Sequence, residues 1–315
     1  MKCVLITGGA GFIGTHLAER LRGQCELVLF DNFKRNALRM TPELTRQPGV
    51  RIVQGDVLDA AALRQAMSGC DTVIHLAAIA GVSSYYAEPL RTLQVNIVGT
   101  LNALEAAAGG TERFVYFSSS EVFGSEALWV EEDSTHRLGP VSDPRWVYAT
   151  SKLAGEHLSL RFAERHGMAC AIVRPFNIYG PRQVGEGAVS NFCQAAVSGR
   201  PMTVYGDGMS LRAWCYISDL IDAVEALLRT PSAFGHAYNI GNPHGVETTL
   251  GLTERIARLG HPVPVQFQTV ERSDVRARIP VIGRAHHAFG FEPRVGLDEG
   301  LTRTLDWFAH EANGR

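Results

Sequence analysis

The stretch Cys3-Val4-Leu5-Ile6-Thr7-Gly8-Gly9-Ala10-Gly11-Phe12-Ile13-Gly14 decides the fold. Its first five residues are an apolar, β-branched run of strand length, and they stop at a glycine. Gly8, Gly11 and Gly14 then open an amphipathic segment, 12–22. A turn this tight needs a residue free to take positive φ, and absent Cβ atoms let the backbone approach a bound group closely. The start of the following helix offers unpaired N–H groups and the positive end of its dipole. Strand, glycine turn and helix together form a cradle for a pyrophosphate.

Working outward, short apolar runs recur at 26–31, 51–54, 72–76, 113–118 and 169–174. Longer amphipathic segments lie between and after them, at 59–68, 90–108, 146–166, 189–199 and 218–229. Strands apolar almost throughout are buried on both faces, and their alternation with helices predicts a parallel sheet covered on both sides. The expected architecture is α/β: a doubly wound parallel sheet of the Rossmann type with a smaller C-terminal substrate-binding lobe. Asp59 and Ser218 are expected helix N-caps. Past residue 178, Gly180-Pro181, Gly206-Asp207-Gly208 and Gly241-Asn242-Pro243 break the rhythm. The expected division is 1–178 for the first domain and 179–315 mainly for the lobe, with segments of 209–240 returning to the sheet. Disorder is expected only at 311–315.

Asp31 ends the second strand, 20 residues after Gly11. A carboxylate there accepts hydrogen bonds from both ribose hydroxyls and repels a 2′-phosphate, so the expected cofactor is NAD. Asp56, after the third strand, is expected to hold the adenine amino group. Leu76-Ala77-Ala78 ends the fourth strand with small residues, as backbone lying against a cofactor requires.

Tyr148 and Lys152 are spaced i, i+4 early in the segment 146–166, which puts phenol and ammonium on one helical face. The chain has eight Tyr and only three Lys (Lys2, Lys34, Lys152), so this pairing is informative by itself. A neighbouring ammonium favours phenolate, and Tyr148 is expected to take a proton from a substrate hydroxyl while hydride leaves the same carbon. Ser118-Ser119-Ser120-Glu121-Val122-Phe123-Gly124 leaves the fifth strand at the edge where parallel sheets place active sites. A hydroxyl there can bond the reacting oxygen. Glu121 can serve as acid or base beside a transient ketone.

Composition excludes several classes. The net charge of −2 draws the chain neither to nucleic acid nor to an anionic membrane. No apolar run reaches the ~20 residues that span a bilayer. The segment before the first glycine is too short for a signal sequence, so a cytoplasmic protein is expected. The six cysteines (3, 25, 70, 170, 193, 215) include no CxxC pair, so free thiols and no metal are expected.

With these residues in view, the chain resembles the extended short-chain dehydrogenase/reductases, the NAD-dependent epimerase/dehydratase family of nucleotide-sugar enzymes. The resemblance spans nearly its whole length. It rests on 7–14, Asp31-Asn32, Gly55-Asp56, His75–Ala78, Asn96 with Gly99-Thr100, Ser118–Gly124, Tyr148/Lys152, Arg174–Pro181 and Arg212–Asp219. It implies that Tyr148 is the base, that Lys152 orients ribose and tunes Tyr148, and that Ser119 is the hydroxyl partner, with Ser120 and Glu121 beside it. It extends the cofactor contacts to Phe12, Ile13, Asn32, Val57, Asn96 and Pro175. It implies substrate contacts at Ser83, Asn177, Arg182, Asn191, Tyr205, Arg212 and Arg278, of which Asn177, Arg212 and Arg278 would hold a diphosphate. Ser119-Ser120-Glu121 looks closest to UDP-glucuronate decarboxylases. A 4-epimerase is the main alternative, and a 4,6-dehydratase follows, although Ser120 replaces its acid. NAD would stay tightly bound and be regenerated within each cycle on a nucleotide-diphosphate sugar. The resemblance also implies a homodimer formed through a four-helix bundle of 90–108 and 146–166.

Overall fold

The computed structural model describes residues 1–269 and 275–313. Seven strands form one parallel sheet: β1 (Cys3–Thr7), β2 (Glu26–Asp31), β3 (Val50–Gln54), β4 (Thr72–His75), β5 (Arg113–Phe117), β6 (Ala169–Pro175) and β7 (Ala237–Ile240). Their order is β7-β6-β5-β4-β1-β2-β3, so the winding reverses between β1 and β4. Connections leave that point in opposite directions and open a crevice above the strand ends. Alternate residues of β1 feed two separate cores. Val4 and Ile6 belong to the one that holds Leu17 and Leu21, and Leu5 to the one that holds Leu63 and Leu104.

The helices that frame the crevice are α1 (Phe12–Leu21), α2 (Ala60–Met67), α3 (Gly99–Ala107), α4 (Val147–His166), α5 (Ala188–Val197) and α6 (Ile217–Arg229). Asp59 caps α2, its carboxylate accepting from the Ala61 and Ala62 N–H groups. Ser218 caps nothing. The short strand Cys215–Tyr216 runs directly into α6, which begins at Ile217 without a side-chain cap. The segment 90–108 is one helical run that changes pitch. Pro89–Leu93 is followed by a π-helical turn, Gln94–Val98, before α3 begins. That turn carries Asn96 inward, where its amide accepts from Ile79 N–H at 2.8 Å and donates to Ser151 Oγ at 2.9 Å.

A second, mixed sheet has the order Val246–Thr248, Leu211–Ala213, Ala277–Pro280, Glu126–Val130. The chain therefore crosses between the sheets in both directions. Glu126–Val130 leaves the first half for the small sheet, and α6 and β7 return to the large one. Leu211–Ala213 does not return. The last helix, Leu297–Asn313, continues through the expected disordered tail as far as the description runs, and Gly314 and Arg315 lie outside the described residues. Among the described residues no helix is long and apolar enough to cross a membrane.

Candidate active site

Gly8 has φ +71°, and its N–H bonds Phe30 O at 2.8 Å. A Cβ on Gly14 would lie 2.4 Å from Gly8 O, so no side chain fits where the loop enters α1. This loop forms one wall of a cleft of about 400 Å³ in the β1–β4 crevice. Gly8, Gly11, Phe12, Ile13 and Gly14 line it, as do Asp31, Asn32, Val57 and Leu76–Ala78; Tyr148, Lys152 and Pro175 complete the wall. The cradle expected for a dinucleotide is therefore contiguous with the Tyr/Lys pair. The Asp31 carboxylate already accepts from Ala10 N–H at 3.0 Å and Phe33 N–H at 2.7 Å, which fixes its direction. Burial raises its pKa, and these N–H groups oppose that. A carboxylate has about four acceptor sites, so it can still receive a pair of hydroxyls.

Two expected cofactor residues do not face this cleft. Asp56 accepts from Leu58 N–H at 3.0 Å on one oxygen and pairs with Arg91 at 2.9 Å through the other, an Asx turn and an ion pair that leave acceptor sites open. Asn96 is 1% exposed and braces the Ile79 loop from behind.

Tyr148 and Lys152 rise on the first turns of α4. The Lys152 ammonium donates to Phe117 O at 2.7 Å, and burial pulls its pKa down to about 7, against the pull of Glu156. The Tyr148 phenol is hydrogen-bonded to the Ser119 hydroxyl, and its ring stacks on Tyr85 at 5.8 Å. Burial and then Glu121 push its pKa up to about 12. The expected depression by Lys152 is thus not built into the protein alone, because both groups are desolvated together. Behind them the Arg174–Glu156 ion pair, at 2.6 Å, ties β6 to α4, and Ser118 donates to the same carboxylate.

Glu121 lies beside Tyr148 in an unexpected setting. Arg278 Nη1 is 2.5 Å from one carboxylate oxygen, and Arg145 Nη2 is 2.7 Å from the other. Burial would raise the Glu121 pKa, but the two guanidinium groups overcome it and hold the carboxyl at about 2. The acid half of the expected acid/base role does not fit this geometry. Ser120 is 3% exposed, turned into the protein away from the cleft wall.

The expected substrate residues are scattered. Arg212 and Arg278 are register partners on adjacent strands, Leu211–Ala213 and Ala277–Pro280. Arg278 is 4% exposed and engaged by Glu121 and Gly124 O rather than presented to a diphosphate. Asn177, at φ +44°, donates to Ala213 O. Arg182 turns at φ +64° onto α1, where it pairs with Glu19 and His16. Ser83 bonds Glu186 through its N–H, and Asn191 and Tyr205 are exposed on α5 and on the strand Met202–Tyr205. Sequence reasoning missed Arg145, which is 4% exposed and also donates to Tyr85 OH at 2.6 Å. Its only signal is a position one helical turn before Tyr148. Among the described residues no group of three or more His, Cys, Asp or Glu could hold a metal ion.

Residues 4–241 match the model of the NAD dependent epimerase/dehydratase family. A UDP-N-acetyl-alpha-D-glucosaminuronate decarboxylase of Bacillus cytotoxicus is 34% identical, over 99% of each chain. UDP-glucuronic acid decarboxylase 1 of Arabidopsis thaliana is 33% identical over 97% of this chain and 69% of its own. Among solved structures, UDP-glucuronic acid 4-epimerase from Bacillus cereus, in complex with UDP-glucuronic acid and NAD, superposes with a TM-score of 0.90. It is 27% identical and covers 98% of this chain and 99% of its own.

Proposed function

Because the chain belongs to the NAD dependent epimerase/dehydratase family and is an NAD-dependent nucleotide-sugar enzyme, we propose that it decarboxylates a UDP-linked uronate, UDP-glucuronate first among them. The observation that carries this reading is the charge at Glu121. One carboxylate faces two guanidinium groups, so the cluster beside Tyr148 holds one net positive charge, −1 + 2 = +1. A neutral hexose has no use for that charge in a desolvated site. Glu121, Arg145 and Arg278 do not line the cleft, so a uronate carboxylate bound beside Tyr148 would meet this charge as a field rather than by direct contact. The decarboxylases that share 33–34% identity with the chain point the same way.

In this reading the Gly8–Gly14 cradle holds the pyrophosphate of NAD, and Asp31 receives the ribose hydroxyls. Lys152 orients the other ribose beside Tyr148. Bound NAD supplies the acceptor and later the donor of the C4 hydride, together with a positive charge that favours phenolate. Tyr148 removes the C4 hydroxyl proton while Ser119 donates to the same oxygen. The resulting ketone is β to the carboxylate, so the C5–C6 electron pair can move toward O4 as CO2 leaves. Donors already aimed at O4 then stabilise the developing oxyanion without reorganising. Glu121 stays ionised and holds the two arginines in place. A proton taken up from solvent at C5, and at C4 the returned hydride with the Tyr148 proton going back to O4, would complete the cycle.

The competing reading, a 4-epimerase, is favoured by the similarity to the Bacillus cereus enzyme. The 4,6-dehydratase reading has less support, because buried Ser120 offers no acid. Incubation with UDP-glucuronate, UDP-N-acetylglucosaminuronate and UDP-glucose, followed by mass spectrometry and NMR, separates these. Loss of CO2 from a uronate supports decarboxylation, and an unchanged mass with inverted C4 replaces it with epimerisation. A homodimer through the 89–107 and 147–166 helices belongs to the same proposal. Leu90 and Val98, 67% and 44% exposed, lie on the first of these, and sizing with light scattering tests the pairing.

A further inference from the structure

Away from the cleft, two thiols meet beneath the parallel sheet. Cys3 starts β1 and Cys70 precedes β4, and their Sγ atoms are 2.8 Å apart. That is within an ångström of the ~2.05 Å disulfide bond. The backbone holds them there. Asp71 N–H donates to Cys3 O at 3.0 Å, and β1 and β4 run in parallel register from Val4↔Thr72 onward. Cys3 is half-exposed and Cys70 buried. Cys25, also half-exposed, is the third sulfur of the neighbourhood, and burial pushes its pKa up to about 11.

We propose that Cys3 and Cys70 form an oxidation site, a reversible disulfide pair closed by a small oxidant such as hydrogen peroxide. This is independent of which sugar the enzyme turns over. Cys3, the more accessible sulfur, attacks one peroxide oxygen as thiolate. The O–O bond breaks, hydroxide leaves and is protonated to water, and Cys3 becomes a sulfenic acid. The Cys70 sulfur then attacks the Cys3 sulfur, the S–O bond breaks, and a second water leaves with the Cys70 proton. Two thiols lose two electrons, and one peroxide becomes two waters. The bridge spans 67 residues, and the loop it closes contains Gly8–Gly14, Asp31 and Val57. Oxidation therefore pins the dinucleotide half of the cleft from below without touching it.

The test oxidises the full chain with hydrogen peroxide, alkylates the remaining thiols, digests and maps the peptides. The expected product is a Cys3–Cys70 linked pair, removed by dithiothreitol, absent in Cys3→Ser and Cys70→Ser and retained in Cys25→Ser. Oxidised wild type should melt about 5 °C above the reduced form, a rise that both serine variants lack. No linked peptide in oxidised wild type, or a link through Cys25 in its place, overturns the proposal. A bridge that forms with no change in melting overturns the pinning. The mapping reads wild type itself, so a variant that fails to fold does not void the result.

Discussion

Replacing Lys152 with methionine should stabilise the cofactor-free protein while removing its activity. Lys152 is 3% exposed, and burial pulls its pKa from 10.5 to about 7. Between those values the unfolded chain binds a proton that the folded chain does not, so stability rises with pH across that window. The cost of the buried ammonium is fully present below pH 7 and is lost as pH climbs to about 10.5. At pH 7 it amounts to about 4 kcal/mol, and near pH 9.5 to about 1.5 kcal/mol. Methionine removes the charge but strips Phe117 O of its donor, which returns about 1–3 kcal/mol. The variant should therefore gain about 1–3 kcal/mol at pH 7 and be unchanged or up to about 2 kcal/mol less stable near pH 9.5. The change in the gap, about 3 kcal/mol, does not depend on the Phe117 correction. Urea unfolding of stripped wild type and Lys152→Met at both pH values measures it. A gap that stays constant with pH would refute the desolvation argument, whatever its sign.

Three further outcomes follow from the site. Tyr148→Phe should lower kcat by about 10²–10⁴-fold while NAD binding, read by quenching of intrinsic fluorescence, is retained. Arg145→Met removes one of the two cations that hold the Glu121 carboxyl at about 2, so that pKa should rise. Wild-type kcat/KM should then be insensitive to Glu121 through the ordinary carboxylate range, whereas the variant loses activity at a higher pH on acidification; identical profiles would exclude the cluster from the reaction. Gly155→Ala places a Cβ 2.0 Å from the Tyr116 hydroxyl, so denaturant unfolding should show a loss of about 1–3 kcal/mol as α4 is pushed from β5.

The frame was legible because parallel strands buried on both faces leave apolar runs that nothing else in the chain imitates. β1 and β2 fall on the residues read from sequence for that reason. The Tyr148/Lys152 pair was legible because lysine is scarce here. Arg145 was not, being one of 27 arginines whose burial is decided by Glu121 and Tyr85, contacts that exist only after folding. The partners of Arg182 were hidden for a related reason. Its motif resembles a substrate contact, but a positive φ aims the side chain at Glu19 on α1. Asp56 spends one acceptor site on a local Asx turn, a contact that the register of the fold did not signal. The π-helical turn at Gln94–Val98 leaves no periodic signal, because one extra residue per turn hides within an amphipathic run.

The pairing of Glu126–Val130 with Ala277–Pro280 bears on how the molecule is made. Glu121 and Arg278 are 157 residues apart, and the ladder between Ala277–Pro280 and Glu126–Val130, the strand just after Glu121, cannot form until the later strand exists. A nascent chain emerging from its N-terminus completes the glycine cradle, Tyr148 and Lys152 early. It has Arg145 to neutralise Glu121 but lacks the second guanidinium until Arg278 has been made. The glycine cradle is thus in place well before the small sheet, and only a chain that has reached Arg278 carries the net positive charge beside Tyr148.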